Sequence, residues 1–355
     1  MRGVVHDIFK SYLTNRSQRV TINNIVSQEE ELTFGVPQGS VLGPTLFIIY
    51  VNELCKLTLP NCSIITYADD TALLIRGCDW SEARDRTEFA LSVVMKWLNT
   101  NLLTLNLAKT NFITFAANTN TLPPNSFHLT AHKTYPTACV NCDCIQITRT
   151  KHIKYLGIWI DSILSWNQHI KATISRVRKL IYVFKNLRTS LDLKTLRTVY
   201  SALCESIIAY CITVWGSAGK TQLLRLERAQ RAILKVMTSK PILFPTSDLY
   251  GITDVLTVRQ IYILRLLMRK HSQLPYSKVA GVTNRRRANR VCDSKFCRLL
   301  LSKRHFLYAA PVIYNKVNKL LGIFPLTSRE CKSRITTWLK SLSYHDTEKL
   351  MKECL

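Results

Sequence analysis

The chain has 355 residues, and its 49 Lys and Arg outnumber 23 Asp and Glu for a net charge of +26, which points to a polyanionic partner, nucleic acid before a membrane surface. That length allows two or three domains, and 47% hydrophobic residues are enough to build cores. No uncharged apolar run reaches the about 18 residues of a membrane span, nothing resembles a signal peptide, and the twelve cysteines read as reduced thiols of an intracellular protein.

In chain order, Val4, Ile8, Phe9 and Tyr12 have helical spacing over residues 3–15, and residues 19–22 read as a strand. The three glutamates at 29–31 read as a solvated turn before a strand at 32–34. Residues 35–44, Gly-Val-Pro-Gln-Gly-Ser-Val-Leu-Gly-Pro, form a tight loop in which backbone can approach a ligand closely. Ser40 is placed to cap the apolar helix that follows, and Pro44 is tolerated in its first turn. Backbone donors at such a helix start suit a phosphate or a base. Simple loop punctuation is the alternative.

Residues 64–75, Ile-Ile-Thr-Tyr-Ala-Asp-Asp-Thr-Ala-Leu-Leu-Ile, place two β-prone apolar arms around an acidic centre, the pattern of a hairpin with Asp69 and Asp70 at its tip. Two adjacent carboxylates repel one another, and a divalent cation relieves the repulsion. Taken alone, the pair reads equally as a metal-binding turn or a solvated one. A helix then runs from a Ser81 cap to about residue 101, followed by a strand at Ile113 and Phe115. Residues 117–150 break the periodicity and read as a loop or insertion. They hold Cys139, Cys142 and Cys144 near His128, His132 and His152. The second half of a spaced zinc signature is absent, so exposed thiols are preferred to a zinc site.

From residue 167 the chain reads as helical for over a hundred residues. Ile170, Ile174, Val177, Ile181 and Phe184 form an apolar stripe, with Lys171, Arg178, Lys179 and Lys185 elsewhere on the same helix. Helices at 193–210 and 223–237 repeat the style. The basic run at 284–290 reads as an RNA contact, a nuclear signal or a linker. Charge is uneven: residues 1–120 carry 10 Lys and Arg against 11 Asp and Glu, whereas 121–355 carry 39 against 12. An acidic site followed by a basic body suits a protein that holds cations with one part and phosphates with the other.

The loop at 35–44 with its helix, Tyr67 to Asp70, the Asn-Leu-Ala-Lys-Thr at 106–110 and the Lys-Tyr-Leu-Gly-Ile-Trp-Ile-Asp at 154–161 come in an order that resembles the reverse transcriptases of jockey-like non-LTR retrotransposons. Tyr308 to Pro311 with Tyr314-Asn315 is similar to part of the tail of such proteins. The resemblance implies an α+β fold: a partial polymerase palm, antiparallel sheet with helices (1–116), the insertion (117–150), a primer-grip hairpin (151–162), an all-helical thumb (163–272), a basic linker (273–294) and a C-terminal helical tail (295–355). It implies an RNA-directed DNA polymerase acting on RNA template, DNA primer and dNTPs, with two Mg²⁺ ions, or Mn²⁺, about 3.5–4 Å apart.

By the same resemblance Asp69 and Asp70 are the catalytic metal ligands, Tyr67 lies against the primer end, and Gln38, Gly39 and Ser40 face the incoming nucleotide and template. Tyr155, Leu156 and Gly157 position the primer. Lys109 protonates the departing pyrophosphate or is a solvated helix-end lysine. The family's first metal-binding aspartate lies upstream of the helix that here begins the chain, with Ser11 to Arg16 corresponding to the segment after it. The expectation is therefore an N-terminally truncated, incomplete enzyme. The alternative is a catalytically dead remnant that binds nucleic acid without sequence preference. An unpaired palm edge would favour self-association. No membrane partner is expected, and the nucleus is where such an activity would act.

Overall fold

The computed structural model describes residues 2–116, 122–131, 144–274, 291–293 and 300–352. The chain divides into two units, Met1–Phe112 with Asn118–Thr150, and Ile113–Ala117 with Lys151–Leu355.

The first unit is mixed α and β. Helix α1 (Val4–Leu13) leads into three short strands, β1 (Arg16–Gln18), β2 (Thr21–Ile22) and β3 (Ile25–Val26), then β4 (Glu30–Leu32). β2 and β3 form a hairpin across Asn23 and Asn24, both with positive φ, a conformation asparagine tolerates. The glutamates read as a turn instead supply β4, which pairs antiparallel with β1. Glu29, beside the strand, accepts from Ser17 Oγ and Arg19 Nη2, and these bonds hold its carboxyl below the ordinary value.

Helix α2 (Gly43–Cys55) is followed by the antiparallel pair β5 (Cys62–Tyr67) and β6 (Asp70–Ile75). Helix α3 (Trp80–Thr100) is capped by Asp79, not Ser81: Asp79 Oδ1 accepts from Glu82 N at 2.8 Å. Glu82 reaches back to Cys78 N at 2.6 Å, which doubles the satisfied donors at this helix start.

Strands also form within the segment read as an insertion. β7 (Asn111–Phe112) runs parallel to β9 (Ile145–Arg149), and β8 (Leu129–Ala131) pairs antiparallel on its other side. Leu129, Ala131 and Ile147 are buried with Leu91 of α3. β7 lies at 111–112 rather than at 113–115; its partner β9 ends at Arg149, so nothing continues the ladder. Cys139, Cys142 and His132 lie outside the described residues, as does the basic run at 284–290. Among the described residues no three His, Cys, Asp or Glu side chains cluster as a metal site.

The second unit opens with the hairpin β10 (His152–Tyr155) and β11 (Ile158–Asp161) and is otherwise helical. Its helices are α4 (Asn167–Leu187), α5 (Leu193–Tyr200), α6 (Ser206–Ala209), α7 (Ile212–Trp215), α8 (Lys220–Met237), α9 (Thr246–Thr253) and α10 (Val258–Ser272). After these come α11 (Leu300–Lys303), α12 (Phe306–Leu321), α13 (Ser328–Ser341) and α14 (Tyr344–Lys352). The apolar stripe of α4 is as expected, with Ile170, Val177 and Phe184 at 1% exposure or less. The helix expected at 193–210 is broken by a π-helical turn, Ser201–Glu205. One core runs from Ile158 to Met351 and includes α4 to α10 together with α12 to α14. No described helix is long and apolar enough to cross a membrane.

That core contains an ion pair. Glu227 of α8 and Arg259 of α10 approach to 3.5 Å with side chains 2% and 3% exposed, and the Arg259 guanidinium lies 4.7 Å from the Tyr344 ring. Removing one partner leaves a buried charge uncompensated, so Arg259→Met should cost about 3–5 kcal/mol, while Glu227→Leu with Arg259→Met should be neutral or stabilising. Burial raises the Glu227 carboxyl, against the opposing charges of Arg259 and Arg231. A carboxyl raised in the folded state stabilises most below its ordinary value of 4.5, and that contribution fades as pH rises through the folded value. Urea melts from pH 4 to 8 should therefore show a falling component that Glu227→Gln removes.

Candidate active site

The glycine loop owes its shape to three residues without side chains. Gly35 and Gly39 have φ of 81° and 82°, which other residues adopt at a cost. At Gly43 a Cβ would sit 2.9 Å from Ser40 Oγ and 3.2 Å from Pro37 O, so a side chain there would push the Ser40 hydroxyl away from the helix start. Leu42 occupies the cap position of α2, yet Ser40 Oγ accepts from Gly43 N at 3.0 Å. Ser40 is therefore not the cap that the sequence predicts but lies two residues before it, its hydroxyl satisfying the first helical N–H. Pro44 sits in the first turn of the helix, where its missing N–H costs nothing.

Two further side chains bind the loop. Tyr12 Oη donates to Ser40 Oγ at 2.6 Å. Arg16 Nη2 donates to Gly35 O at 2.6 Å and to Phe34 O at 3.3 Å. Neither residue was singled out for the site, because a contact of 18 to 28 residues' separation leaves no trace in local periodicity.

The acidic hairpin closes one residue earlier than the sequence predicts: the turn is Ala68-Asp69, and Asp70 opens β6 paired with Tyr67. Ala68 takes φ of 52°, a left-handed conformation unfavourable for a residue with a Cβ and the kind of local strain that collects at functional turns. Along β5, Cys62, Ile64 and Thr66 are half-buried while Ser63, Ile65 and Tyr67 are exposed, the alternation a one-sided sheet requires. Asp69 and Asp70 are exposed.

The loop and the turn meet. Gln38, Gly39, Gly43 and Phe47 from one side and Ala68 and Asp69 from the other line a cleft of about 460 Å³. Ser40, Tyr67 and Asp70 adjoin this lining without forming part of it. Lys109 is exposed on the turn after Asn106, whose Oδ1 accepts from Lys109 N at 3.2 Å, and it is not part of the cleft.

In the other unit, Leu156 and Gly157 form the turn between β10 and β11, both with positive φ. Tyr210, missed by the sequence reading, donates to Leu156 O at 2.7 Å, and its ring would lie 3.5 Å from a Cβ on Gly157. Tyr155 Oη is buried with no hydrogen-bond partner among the described residues. On α4, Lys171, Arg178 and Lys185 are exposed at seven-residue spacing, with Tyr182 between them 71% exposed. These residues share one helix face, and its cations have no ion-pair partner among the described residues.

Residues 2–160 match the family described as reverse transcriptase (RNA-dependent DNA polymerase). The chain is 28% identical over 264 residues to a probable RNA-directed DNA polymerase from transposon BS of Drosophila melanogaster, covering 72% of this chain and 28% of that protein. It is 26% identical over 255 residues to the RNA-directed DNA polymerase from mobile element jockey of the same organism, covering 68% and 26%. A probable polymerase from its transposon X-element is 26% identical over 238 residues, covering 65% and 24%. The chain thus spans about a quarter of the length of these relatives. No solved structure matches it.

Proposed function

Residues 2–160 carry a reverse transcriptase domain related to those of jockey-like non-LTR retrotransposons, and from that premise we propose that the cleft between the glycine loop and the Ala68-Asp69 turn is a nucleotidyl-transfer site for RNA-directed DNA synthesis. The observation that carries this reading is that Gln38 and Gly39 line the same cleft as Asp69. Asp69 and Asp70 offer exposed carboxylate oxygens, the donor type that Mg²⁺ or Mn²⁺ takes, and are the residues that would hold such ions. Bound there, divalent cations would supply charge neutralisation for the attacking 3′-oxygen and the triphosphate.

The protein's own work is positioning. The loop backbone at Gln38, Gly39 and Ser40 holds the incoming nucleotide against the template, and Tyr67 supports the primer end. Lys109 has no ion-pair partner among the described residues, which leaves its ammonium available to protonate pyrophosphate as it departs. Tyr155, Leu156 and Gly157 set the primer strand, steadied by the Tyr210 bond to Leu156 O. The unpaired outer edges of β5 and β6, with Ile65 and Leu74 exposed, support self-association by strand pairing.

No third His, Cys, Asp or Glu joins Asp69 and Asp70 among the described residues. This favours a second reading beside the first: these residues hold an incomplete carboxylate set and, on their own, bind nucleic acid without copying it. Primer extension on a poly(A) template with an oligo(dT) primer tests the point. On the second reading the 355-residue polypeptide incorporates no dTTP with Mg²⁺ or Mn²⁺. Incorporation that disappears in Asp69→Ala would show that the pair suffices and would overturn the second reading.

The exposed cations of α4 support a role in gripping the phosphate backbone, with Tyr182 placed to pack against a sugar or base. Binding of an RNA–DNA hybrid should weaken linearly in log–log salt titrations. Replacing Lys171, Arg178 and Lys185 together with Ala should reduce the slope by about three, roughly one for each phosphate no longer neutralised. An unchanged slope would remove α4 from the binding surface.

A further inference from the structure

Residues 36 to 39, which line part of the cleft, lie between two points of attachment, one from the last turn of α1 and one from the start of β1. Asn15 has φ of 53°, so the chain reverses sharply between Tyr12 on the helix and Arg16 at the start of β1. Pairing of Arg16 with Leu32 across β1 and β4 brings the guanidinium beside the chain just before the loop. There Arg16 Nη2 donates to the carbonyls of Phe34 and Gly35, while its Nε donates to Leu13 O at 3.2 Å. At the far end Tyr12 Oη donates to Ser40 Oγ, which also accepts from Gly43 N. Ser40 N in turn donates to Pro37 O at 3.3 Å.

We propose that Tyr12 and Arg16 are positioning residues, a two-point brace that holds the Gly35 to Gly43 backbone in the shape that faces Asp69. Neither side chain lines the cleft; each acts through the loop. The glycines make the brace necessary. A loop with three glycines in nine residues has much backbone freedom in the unfolded chain, and holding it in one conformation is unfavourable in entropy unless bonds compensate. The guanidinium suits the entry side because its planar edge bonds two places at once, Nε to Leu13 O and Nη2 to the carbonyls of Phe34 and Gly35, which an ammonium on a flexible stem does not hold in one fixed plane. The phenol suits the exit side because it is a stronger proton donor than the serine hydroxyl it meets.

What the brace is for rests on the reading of the cleft as a nucleotide site, so the test separates the two. Amide deuterium exchange is followed across residues 34–43 in the full chain, in Tyr12→Phe, Arg16→Gln and Arg16→Lys. Loss of a neutral hydrogen bond should speed exchange there by about fivefold, and loss of the charged pair of bonds by about tenfold or more. Arg16→Lys should behave as Arg16→Gln, since an ammonium lacks the planar edge that bonds Leu13 O and the loop carbonyls together. Exchange in residues 62–75 and the melting temperature should stay as in the parent chain. Equilibrium binding of dGTP with Mn²⁺ should weaken by factors similar to the exchange changes. Unchanged exchange at 34–43 in Tyr12→Phe and Arg16→Gln, or full recovery in Arg16→Lys, would overturn the brace. Faster loop exchange in a protein that binds no dGTP would uphold the brace and refute the nucleotide reading.

Discussion

A polypeptide of residues 151–300 is expected to show no cooperative unfolding transition, whereas residues 151–355 should melt as one unit. The reason is the shared core. Ile313, Tyr314, Val317, Ile323, Ile335 and Leu339 are each at most 1% exposed, and they pack in one cluster with Val258, Ile263, Leu266 and Leu267 of α10. At about 1.5–3 kcal/mol for each fully buried large side chain, six of them amount to roughly 9–18 kcal/mol. That is comparable with the entire net stability of a typical domain, about 5–15 kcal/mol.

Polar ties add to the loss. Gln260 Nε2 donates to Leu339 O at 2.6 Å, and His271 Nδ1 lies 2.8 Å from Tyr314 Oη. Asn315 Oδ1 accepts from Val291 N and Cys292 N, and its Nδ2 donates to Cys292 O. Without residues 301–355 the partners on α10 and at residues 291–292 lose these bonds. Calorimetry and near-ultraviolet dichroism distinguish the outcomes. A 151–300 polypeptide that melts cooperatively near the temperature of 151–355 would mean that the tail is a detachable unit. Tyr314 and Asn315 thus fasten α12 to the end of α10 and to residues 291–292.

Much of the site is local and was legible for that reason. The glycine loop declares itself through residues whose φ values only glycine adopts easily, and the acidic hairpin through two apolar arms of equal length around a two-residue turn. What escaped has physical causes. β8 and β9 are short, lie in a stretch rich in Thr and Asn, and gain their stability from burial against Leu91 and from a parallel partner more than thirty residues away. The alternation of Leu129, Thr130 and Ala131 was the available signal. The α3 start was misplaced by two residues although Asp79 and Glu82 form a recognisable capping pair. The π-helical turn at 201–205 left no mark, because apolar spacing continues through it. Tyr12, Arg16 and Tyr210 were missed because their partners are backbone atoms or hydroxyls of distant residues, and such bonds depend on the tertiary fold alone.

On the proposed reading Asp69 and Asp70 hold a divalent cation facing the glycine loop, and Fe²⁺-directed cleavage tests this without catalysis. Fe²⁺ substitutes for Mg²⁺ at oxygen-ligand sites and, with ascorbate and peroxide, cleaves the polypeptide near where it is bound. Two exposed carboxylates bind such an ion weakly, so the cleavage is followed at increasing Fe²⁺ and competed with Mg²⁺. Cuts should concentrate around residues 36–39 and 67–71, fade with added Mg²⁺, and disappear in Asp69→Asn with Asp70→Asn. Cuts elsewhere in the chain, or cuts at 36–39 that persist when both aspartates are replaced, would contradict the account.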